Sequence, residues 1–247
     1  MSSGSGSKLS HVIELQAKKQ GSYLVVFAII MIVVALGVAI GFSYLMSSPD
    51  DTGGGMLYLA TGAPTIVLIM TALVIVPMQN AGAKLTGYID FVKSLPVSRK
   101  LFLIADVGIW ALVTVPAIAI SVFVAHLIFA PGYAISWTII PGFVLMVLSC
   151  FAIGYGYSFV MPAEPAMAVS QLIAFTSLMF SPINFPLERL PEWLQSVHEV
   201  LPIYHMAEVM RASLAHTSFS AEPVSYIVLG AWTIVGFFGA VRFLEKA

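Results

Sequence analysis

The stretch from Val107 to Ala163 contains no Lys, Arg, Asp or Glu, and His126 is its only side chain that is readily charged near neutral pH. A hydrocarbon solvent demands such a stretch, because a charge at the bilayer centre costs roughly 2.5–3.5 kcal/mol on insertion scales. Hydrophobic residues make up 59% of the chain and charged residues 9%, whereas soluble domains are roughly 45–50% apolar. The sequence therefore predicts an integral membrane protein.

Charge and motif content exclude several other classes of protein. A formal net charge of -1 argues against a nucleic-acid binder that works through a basic surface. Cys150 is the only cysteine, so neither an internal disulfide nor a thiolate metal cluster is possible, and we expect it to face lipid or the core. The sequence contains neither a P-loop nor a His-Glu-x-x-His motif, so we expect this chain to bind no ATP, metal or other cofactor.

The apolar segments predict an all-α protein with six transmembrane helices, each needing about 20 apolar residues. Five segments have that length: roughly Leu24–Met46, Met56–Met78, Val107–Phe129, Trp137–Val160 and Val224–Phe243. A sixth, Met167–Ile183, is shorter and is bounded by prolines, so we predict a span with an irregular outer end. In the fourth span, Gly154 and Gly156 predict close helix packing, aided by Ala152.

The chain is predicted to contain a single membrane domain. Residues 1–7 resemble a flexible tag or linker, and residues 8–247 are predicted to form one six-span domain. Leu9–Gln20 mixes apolar and charged residues, which favours a short helix lying at the membrane interface, although a disordered leader has the same composition.

The distribution of basic residues predicts the orientation. Nine of the eleven fall on one side of a six-span arrangement: Lys8, Lys18, Lys19, Lys84, Lys93, Arg99, Lys100, Arg242 and Lys246. Only Arg189 and Arg211 are assigned to the other side. Because Lys and Arg concentrate in cytoplasmic loops, both termini are predicted to lie in the cytoplasm and the protein to span the cell membrane.

Two connections between spans have helical patterns of their own. In the cytoplasmic connection, Leu85, Tyr88, Ile89 and Val92 recur at helical spacing. Gln79–Lys93 is therefore predicted to be a helix that either rests at the interface or engages a cytoplasmic partner.

The outer connection, Asn184–Glu222, is divided by prolines into two short amphipathic helices. These helices are expected to lie in the outer interface, as a passive cap or as a gate. Glu208 and Arg211 form an i,i+3 pair that would contribute a few tenths of a kcal/mol if exposed at the rim.

The outer connection closely resembles the signature region of ATP-binding-cassette exporter permeases, the membrane subunits of O-antigen, teichoic acid and antibiotic exporters. The matching residues are Pro191-x-Trp193-Leu194, Leu201-Pro202 and Glu208-x-x-Arg211, within Phe180–Gln195 and Leu201–Arg211. The resemblance extends to the layout of the whole chain, with six spans, a cytoplasmic helix between spans two and three, and paired outer helices between spans five and six.

The resemblance implies a dimer of permeases, with two separate ATPase subunits that bind ATP and Mg on the cytoplasmic side. It makes Gln79–Lys93 a coupling helix that docks on the ATPase through Lys84, Leu85, Tyr88, Ile89, Asp90 and Phe91. It also implies an outer gate over about residues 185–216, with the helices at Pro191–Ala215. The gate residues are Pro182, Pro186, Pro191, Trp193, Pro202, Tyr204, Glu208 and Arg211. Spans one and five would face each other across the dimer interface.

The expected function is export of an amphipathic substrate, such as a drug-like natural product, a lipid or a lipid-linked glycan, from the cytoplasm or inner leaflet. Membrane lipids are further partners, and no nucleic acid is expected. An ATP-independent channel or carrier is one alternative, but it would need ionisable groups in mid-span. An intramembrane lipid-modifying enzyme would need a convergent catalytic set. Asp106 is expected to pair locally with Arg99 or Lys100, and His126 to be an interfacial or packed side chain.

Overall fold

The computed structural model describes residues 25–34, 36–37, 40–41, 54–94 and 99–246. The predicted interfacial helix Leu9–Gln20 and much of the predicted first span lie outside these residues. The helices are α1 (Val25–Val34), α2 (Gly54–Ile69), a π-helical segment (Met70–Ile75), α3 (Val76–Leu85), α4 (Tyr88–Ser94), α5 (Arg99–Phe129), α6 (Ile139–Val160), α7 (Ala163–Met179), α8 (Glu192–His198), α9 (Pro202–Leu214) and α10 (Pro223–Lys246). A 3-10 turn covers Leu187–Arg189. The described ranges contain no β-strand, which confirms the all-α class.

Among the described residues, four helices are long and apolar enough to cross a membrane: Gly55–Leu85, Leu101–Ile128, Ile139–Val160 and Pro223–Phe243. They correspond to predicted spans two, three, four and six, and they confirm a multi-pass membrane protein. Predicted span five corresponds to the 17-residue helix α7, and α1 lies within predicted span one. The total of six spans stays a prediction.

Span two, formed by α2, the π-helical segment and α3, is the centre of the bundle. Its most apolar stretch is 94% buried, against 22% for Pro223–Phe243. Helices α5, α6, α7 and α9 all pack on it. Gly62 permits one close approach, because a Cβ there would overlap the carbonyl of Ile183. Both ends of the molecule are therefore connected through one buried helix.

Span two is not a uniform α-helix, and Pro77 provides the physical reason. Proline has no N–H and its ring collides with the carbonyl four residues earlier, here that of Leu73. The chain adopts a π-helical segment just before Pro77, with the Val76 N–H bonded to the carbonyl of Thr71 five residues back. The sequence interpretation, which treated Met56–Met78 as one regular span, did not anticipate this break.

The predicted glycine packing in span four is confirmed. A Cβ on Gly154 would overlap the carbonyl of Ala72 in span two, and one on Gly156 would press on the backbone of Gly236 in α10. A Cβ on Gly236 would in turn overlap the backbone at Ala152. The absence of side chains at these positions lets α6 pack closely against span two on one side and α10 on the other.

Candidate functional site

The α4 end of span two differs from the predicted single helix over Gln79–Lys93. Residues from Gln79 to Leu85 continue α3, and a separate helix, α4, begins at Tyr88. Between them Gly87 adopts a left-handed conformation with φ of 72°, which a residue without a Cβ accepts readily and which ends a helix. The predicted helix is thus two helices joined by a tight turn.

The turn divides the apolar side chains of this segment into two groups. Ile89 and Val92 are buried, and Val92 packs with Phe102 and Ala105 of α5. Leu85 and Phe91 are 64% and 53% exposed. One apolar face therefore holds α4 on the helical bundle, and the other is left on the surface.

The remaining predicted docking residues occupy different settings. Tyr88 packs beside the cluster of Val92, Phe102 and Ala105, and burial raises the pKa of its hydroxyl. Asp90 is exposed in the first turn of α4. The structure thus places Tyr88 against the helical bundle and Asp90 on the surface next to Phe91.

Lys84 is turned into the protein. Its ammonium donates hydrogen bonds to the carbonyls of Phe159 (2.8 Å) and Met161 (2.6 Å), at the end of α6. It also lies 4.7 Å from the ring centroid of Phe243. A cation at a helix C-terminus satisfies free carbonyls and opposes the helix dipole. Lys84 therefore joins span two to span four.

At the opposite, α9 end, the two helices between α7 and α10 differ from each other. In α9, ten of the thirteen residues are buried, and the helix packs against α2, α6 and α10. Pro202 starts α9, and Tyr204 is half-buried. The shorter α8 follows Pro191 and leaves Trp193 exposed. Of the predicted gate helices, α9 is an integral part of the bundle and α8 lies at its surface.

Arg211 clamps the loop that follows α7. Its side chain is fully buried, and it donates hydrogen bonds to Glu208 (2.8 Å) and to the carbonyls of Pro182 (3.1 Å) and Ile183. The guanidinium carbon lies 3.7 Å from the ring centroid of Tyr58. Burial lowers the pKa of Arg211, whereas Tyr58 and Glu208 oppose that shift.

The Glu208–Arg211 pair forms as predicted, but the expectation that it is exposed at the rim is wrong for Arg211. Glu208 keeps 24% of its side chain exposed, against 1% for Arg211. The physical reason is that the loop turns its carbonyls inward at Pro182 and Ile183, where no helix partner exists for them, and the guanidinium supplies the donors. Pro186 lies in the same loop and is half-buried.

Tyr58, which the sequence analysis missed, completes the clamp by donating a hydrogen bond to the carbonyl of Phe185 (3.0 Å). Nothing in the local pattern around Tyr58 signals this role, because its partners lie more than 120 positions away in the chain.

Further hydrogen bonds fasten α9 and its flanks to neighbouring elements. They join Ala134 N to Leu214 O (2.9 Å), Ser136 N to Ser213 O (3.0 Å), His205 Nδ1 to Ser225 Oγ (3.0 Å) and Trp232 Nε1 to Val200 O (3.0 Å). The loop between α5 and α6, the segment that contains α9, and α10 consequently form one hydrogen-bonded layer.

The two ionisable residues singled out in span three have distinct surroundings. Asp106 is buried, and its carboxylate accepts a hydrogen bond from the hydroxyl of Tyr155 in α6. The side chains of its predicted partners, Arg99 and Lys100, lie outside the described residues. His126 is exposed, and the centroid of its ring lies 6.2 Å from that of Tyr133.

The sequence model of the ABC-2 type transporter family matches residues 12–215. The chain belongs to this family. The match includes α2 to α9, and hence both the α4 end and the Arg211 clamp. A search of curated proteins finds no significant match.

Membership of the ABC-2 type transporter family confirms the predicted resemblance. The chain is a permease subunit of an ABC transporter and a multi-pass membrane protein. The family's membrane domain carries no ATPase site of its own and implies an ATP-binding partner subunit.

Proposed function

We propose that this ABC-2 permease is the membrane subunit of an ATP-driven exporter. Two copies form the conduit, two separate ATPase subunits bind at the α4 end, and an amphipathic substrate moves out of the cytoplasm or the inner leaflet. The observation that carries the proposal is the exposure of Leu85 and Phe91 at the end of the most buried span.

Leu85 and Phe91 gain nothing by facing water, and burial of one such side chain contributes about 1.5–3 kcal/mol before the costs of ordering. A groove on an ATPase subunit would supply that burial. The docking site would be connected to the bundle along two routes: α3 runs directly into span two, and α4 packs on α5 through Val92 and Phe102. Force applied at the exposed pair would therefore reach two spans at once.

The proposed topology has six spans, with both termini and α4 in the cytoplasm. Helix α7 has 17 residues, which at about 1.5 Å per residue falls a little short of the hydrocarbon core of about 30 Å. Ser181 to Asn184 are buried directly after it, so an irregular segment would complete the crossing where protein surrounds it. The bias of nine basic residues toward one side supports the orientation.

The second copy of the permease is proposed to pack on α7. One face of this helix carries the exposed residues Leu172, Phe175 and Met179, and its other face carries the buried residues Ala166, Ser170 and Ser177. An apolar substrate path along that interface suits an amphipathic substrate, since few charged residues are available to bind a polar solute.

The test is to co-express the permease with the ATPase subunit encoded nearest to its gene, purify the complex and reconstitute it in vesicles. We expect a 1:1 complex that hydrolyses ATP and moves an NBD-labelled phospholipid or Hoechst 33342 outward. The permease purified alone should hydrolyse no ATP. Hydrolysis by the lone chain, or failure to associate with any ATPase subunit, would contradict the proposal.

Topology is tested separately with single cysteines in a Cys150→Ala background. Impermeant reagents added from outside should label Gly132→Cys and His216→Cys, and should leave Thr86→Cys and Asp90→Cys unmodified in intact cells. Labelling of Thr86→Cys from outside would invert the proposed orientation.

A further inference from the structure

Pro77 removes a hydrogen bond in the middle of the protein. In a regular helix the N–H of residue 77 would serve the carbonyl of Leu73, and proline has none. Leu73 is buried, so its carbonyl cannot turn to water for a replacement. A buried carbonyl without a donor costs about 1–3 kcal/mol.

The missing donor is supplied by Tyr157 of span four. Its hydroxyl donates a hydrogen bond to the carbonyl of Leu73 at 2.6 Å. Gly154, one turn earlier on α6, makes the approach possible, because a Cβ there would overlap the carbonyl of Ala72 and touch Pro77. Span four is therefore shaped to fit the break in span two.

The same hydroxyl reaches a third helix. Ser170 Oγ on α7 lies 2.8 Å from the hydroxyl of Tyr157, and also 2.8 Å from the carbonyl of Ala166 one turn back on its own helix. Tyr157 is thus the point at which spans two, four and five meet through polar groups.

The two hydroxyl protons of Tyr157 and Ser170 are too few to make hydrogen bonds at all three of these contacts. Each hydroxyl carries a single proton, so the two hydroxyls can supply only two of the three hydrogen bonds. While Tyr157 donates to the carbonyl of Leu73, the hydroxyl of Ser170 has two possible acceptors. If it donates to Tyr157, span five is linked to span two through Tyr157. If it donates to the carbonyl of Ala166, that link is broken. The bond to Leu73 can persist in both states, and the bond to span five is exchangeable.

We propose that Tyr157 is a positioning residue for transport: it holds the π-helical segment of span two and passes the movement of that span to span five through Ser170. Span two runs between the exposed α4 end and the Arg211 clamp, so its break lies on the route between them. This inference rests on the proposed function, in which an ATPase moves the α4 end.

The test uses the complete complex with spin labels in a Cys150→Ala background. One label replaces Met179 on span five, at the proposed contact between the two copies, and in a second preparation one label replaces the exposed Thr86 at the end of span two. Distances between the two copies are measured without nucleotide and with Mg-ATP, using an ATPase subunit that cannot hydrolyse it. In the wild-type complex, the distance between the two copies should change with Mg-ATP at both labelled positions.

In Tyr157→Phe we expect the ATP-dependent change in the distance between the Met179 labels to fall by roughly fivefold or more. The reason is that loss of one hydrogen bond shifts an equilibrium between two states by about that factor. The change at Thr86 should persist. The control is Tyr133→Phe, which removes a hydroxyl that also donates to a carbonyl of span two, that of Ala60 at 3.0 Å, but far from Pro77. Equal behaviour of the two variants at both labels would overturn the inference.

A second pair of variants keeps the test decisive if Tyr157→Phe folds poorly. Ser170→Ala removes the link to span five and leaves the bond to Leu73 intact, so the change at Met179 should fall while the midpoint of thermal unfolding stays near the wild-type value. The matched control is Ser177→Ala on the same helix, whose buried hydroxyl has no hydrogen-bond partner among the described residues.

Retention of the wild-type change at Met179 in Ser170→Ala would also overturn the inference. A wild-type complex with no ATP-dependent change at Thr86 would instead contradict the proposed coupling to an ATPase, so failure of the inference and failure of the proposed function can be told apart.

Discussion

Helices α4 and α9 lie at opposite ends of span two. They differ in how many of their side chains are buried or paired within the chain. Ten of the thirteen residues of α9 are buried, and its arginine is paired with a carboxylate, two carbonyls and an aromatic ring. At the α4 end, by contrast, Leu85 and Phe91 expose most of their surface. Helix α9 is therefore packed within this chain, whereas the α4 end has apolar surface that a partner can bury.

The contrast also separates stability from assembly. A change within the Arg211 clamp removes contacts that the folded chain makes by itself, so it should lower the stability of the permease alone. A change at Leu85 and Phe91 removes contacts that form only with another subunit, so it should weaken binding of that subunit. Four variants test this division, from the largest expected effect to the smallest.

Arg211→Met should destabilise the permease by about 3–5 kcal/mol, because a fully buried guanidinium that serves several acceptors is removed and each buried group left unsatisfied costs about 1–3 kcal/mol. The carbonyls of Pro182 and Ile183 lose their donors at the same time. Thermal unfolding of the detergent-solubilised permease measures the effect, and Arg189→Met, at an exposed arginine of the same segment, is the control. If both variants unfold at the wild-type temperature, the clamp does not stabilise the α9 end.

Leu85→Asp combined with Phe91→Asp should weaken binding of the ATPase subunit by roughly 30- to 100-fold, equivalent to losing the burial of one or two side chains after ordering costs. Unfolding of the permease alone should be unchanged. Pull-down and light scattering of the complex measure binding. The control adds the same charges at Val197 and Val200, exposed residues near the α9 end; an equal loss of binding there would show that the effect is not specific to α4.

Lys84→Met should cost the permease about 1.5–3 kcal/mol, because hydrogen bonds from a cation to the carbonyls of Phe159 and Met161 are lost. This substitution distinguishes a stabilising role from a docking role, since Lys84 belongs to the predicted docking residues but its side chain is turned into the bundle. Stability should fall with little effect on ATPase affinity for the fraction that remains folded. If the permease instead keeps its full stability and binds the ATPase subunit more weakly, Lys84 is a docking residue.

Glu208→Gln should have the smallest effect on stability, about 0.5–1 kcal/mol, because this carboxylate is partly exposed and glutamine can still accept from Arg211. If the clamp also takes part in gating, basal ATP hydrolysis by the complex should change by more than the yield of folded protein. Matched preparations of wild-type and Glu208→Gln complexes provide both measurements. A collapse of yield with unchanged hydrolysis would make Glu208 purely structural.

Much of the architecture follows from local sequence, as particular elements show. The spans at Met56–Met78, Val107–Phe129, Trp137–Val160 and Val224–Phe243 were predictable because hydrocarbon imposes length and apolarity on each segment independently of its neighbours. The glycines of span four were interpretable for a similar reason, since the lack of a Cβ serves only close packing in the middle of an apolar helix. The turn at Gly87 was missed, although a glycine at the end of a helical pattern is a usable local signal.

The pairs of side chains that give the site its character were not predictable in the same way. Arg211 meets Tyr58, Tyr157 meets Leu73, and Tyr155 meets Asp106, each across a large separation in sequence. Whether Arg211 lies at the rim or in the core depends on where the loop after α7 turns its carbonyls. Sequence alone determined that this chain crosses a membrane as a bundle of helices with the signature of an ABC-2 permease, because the solvent acts on every segment separately. Only the tertiary structure decided which polar groups are satisfied inside the bundle and which apolar ones are left for a partner, because that depends on which helices meet.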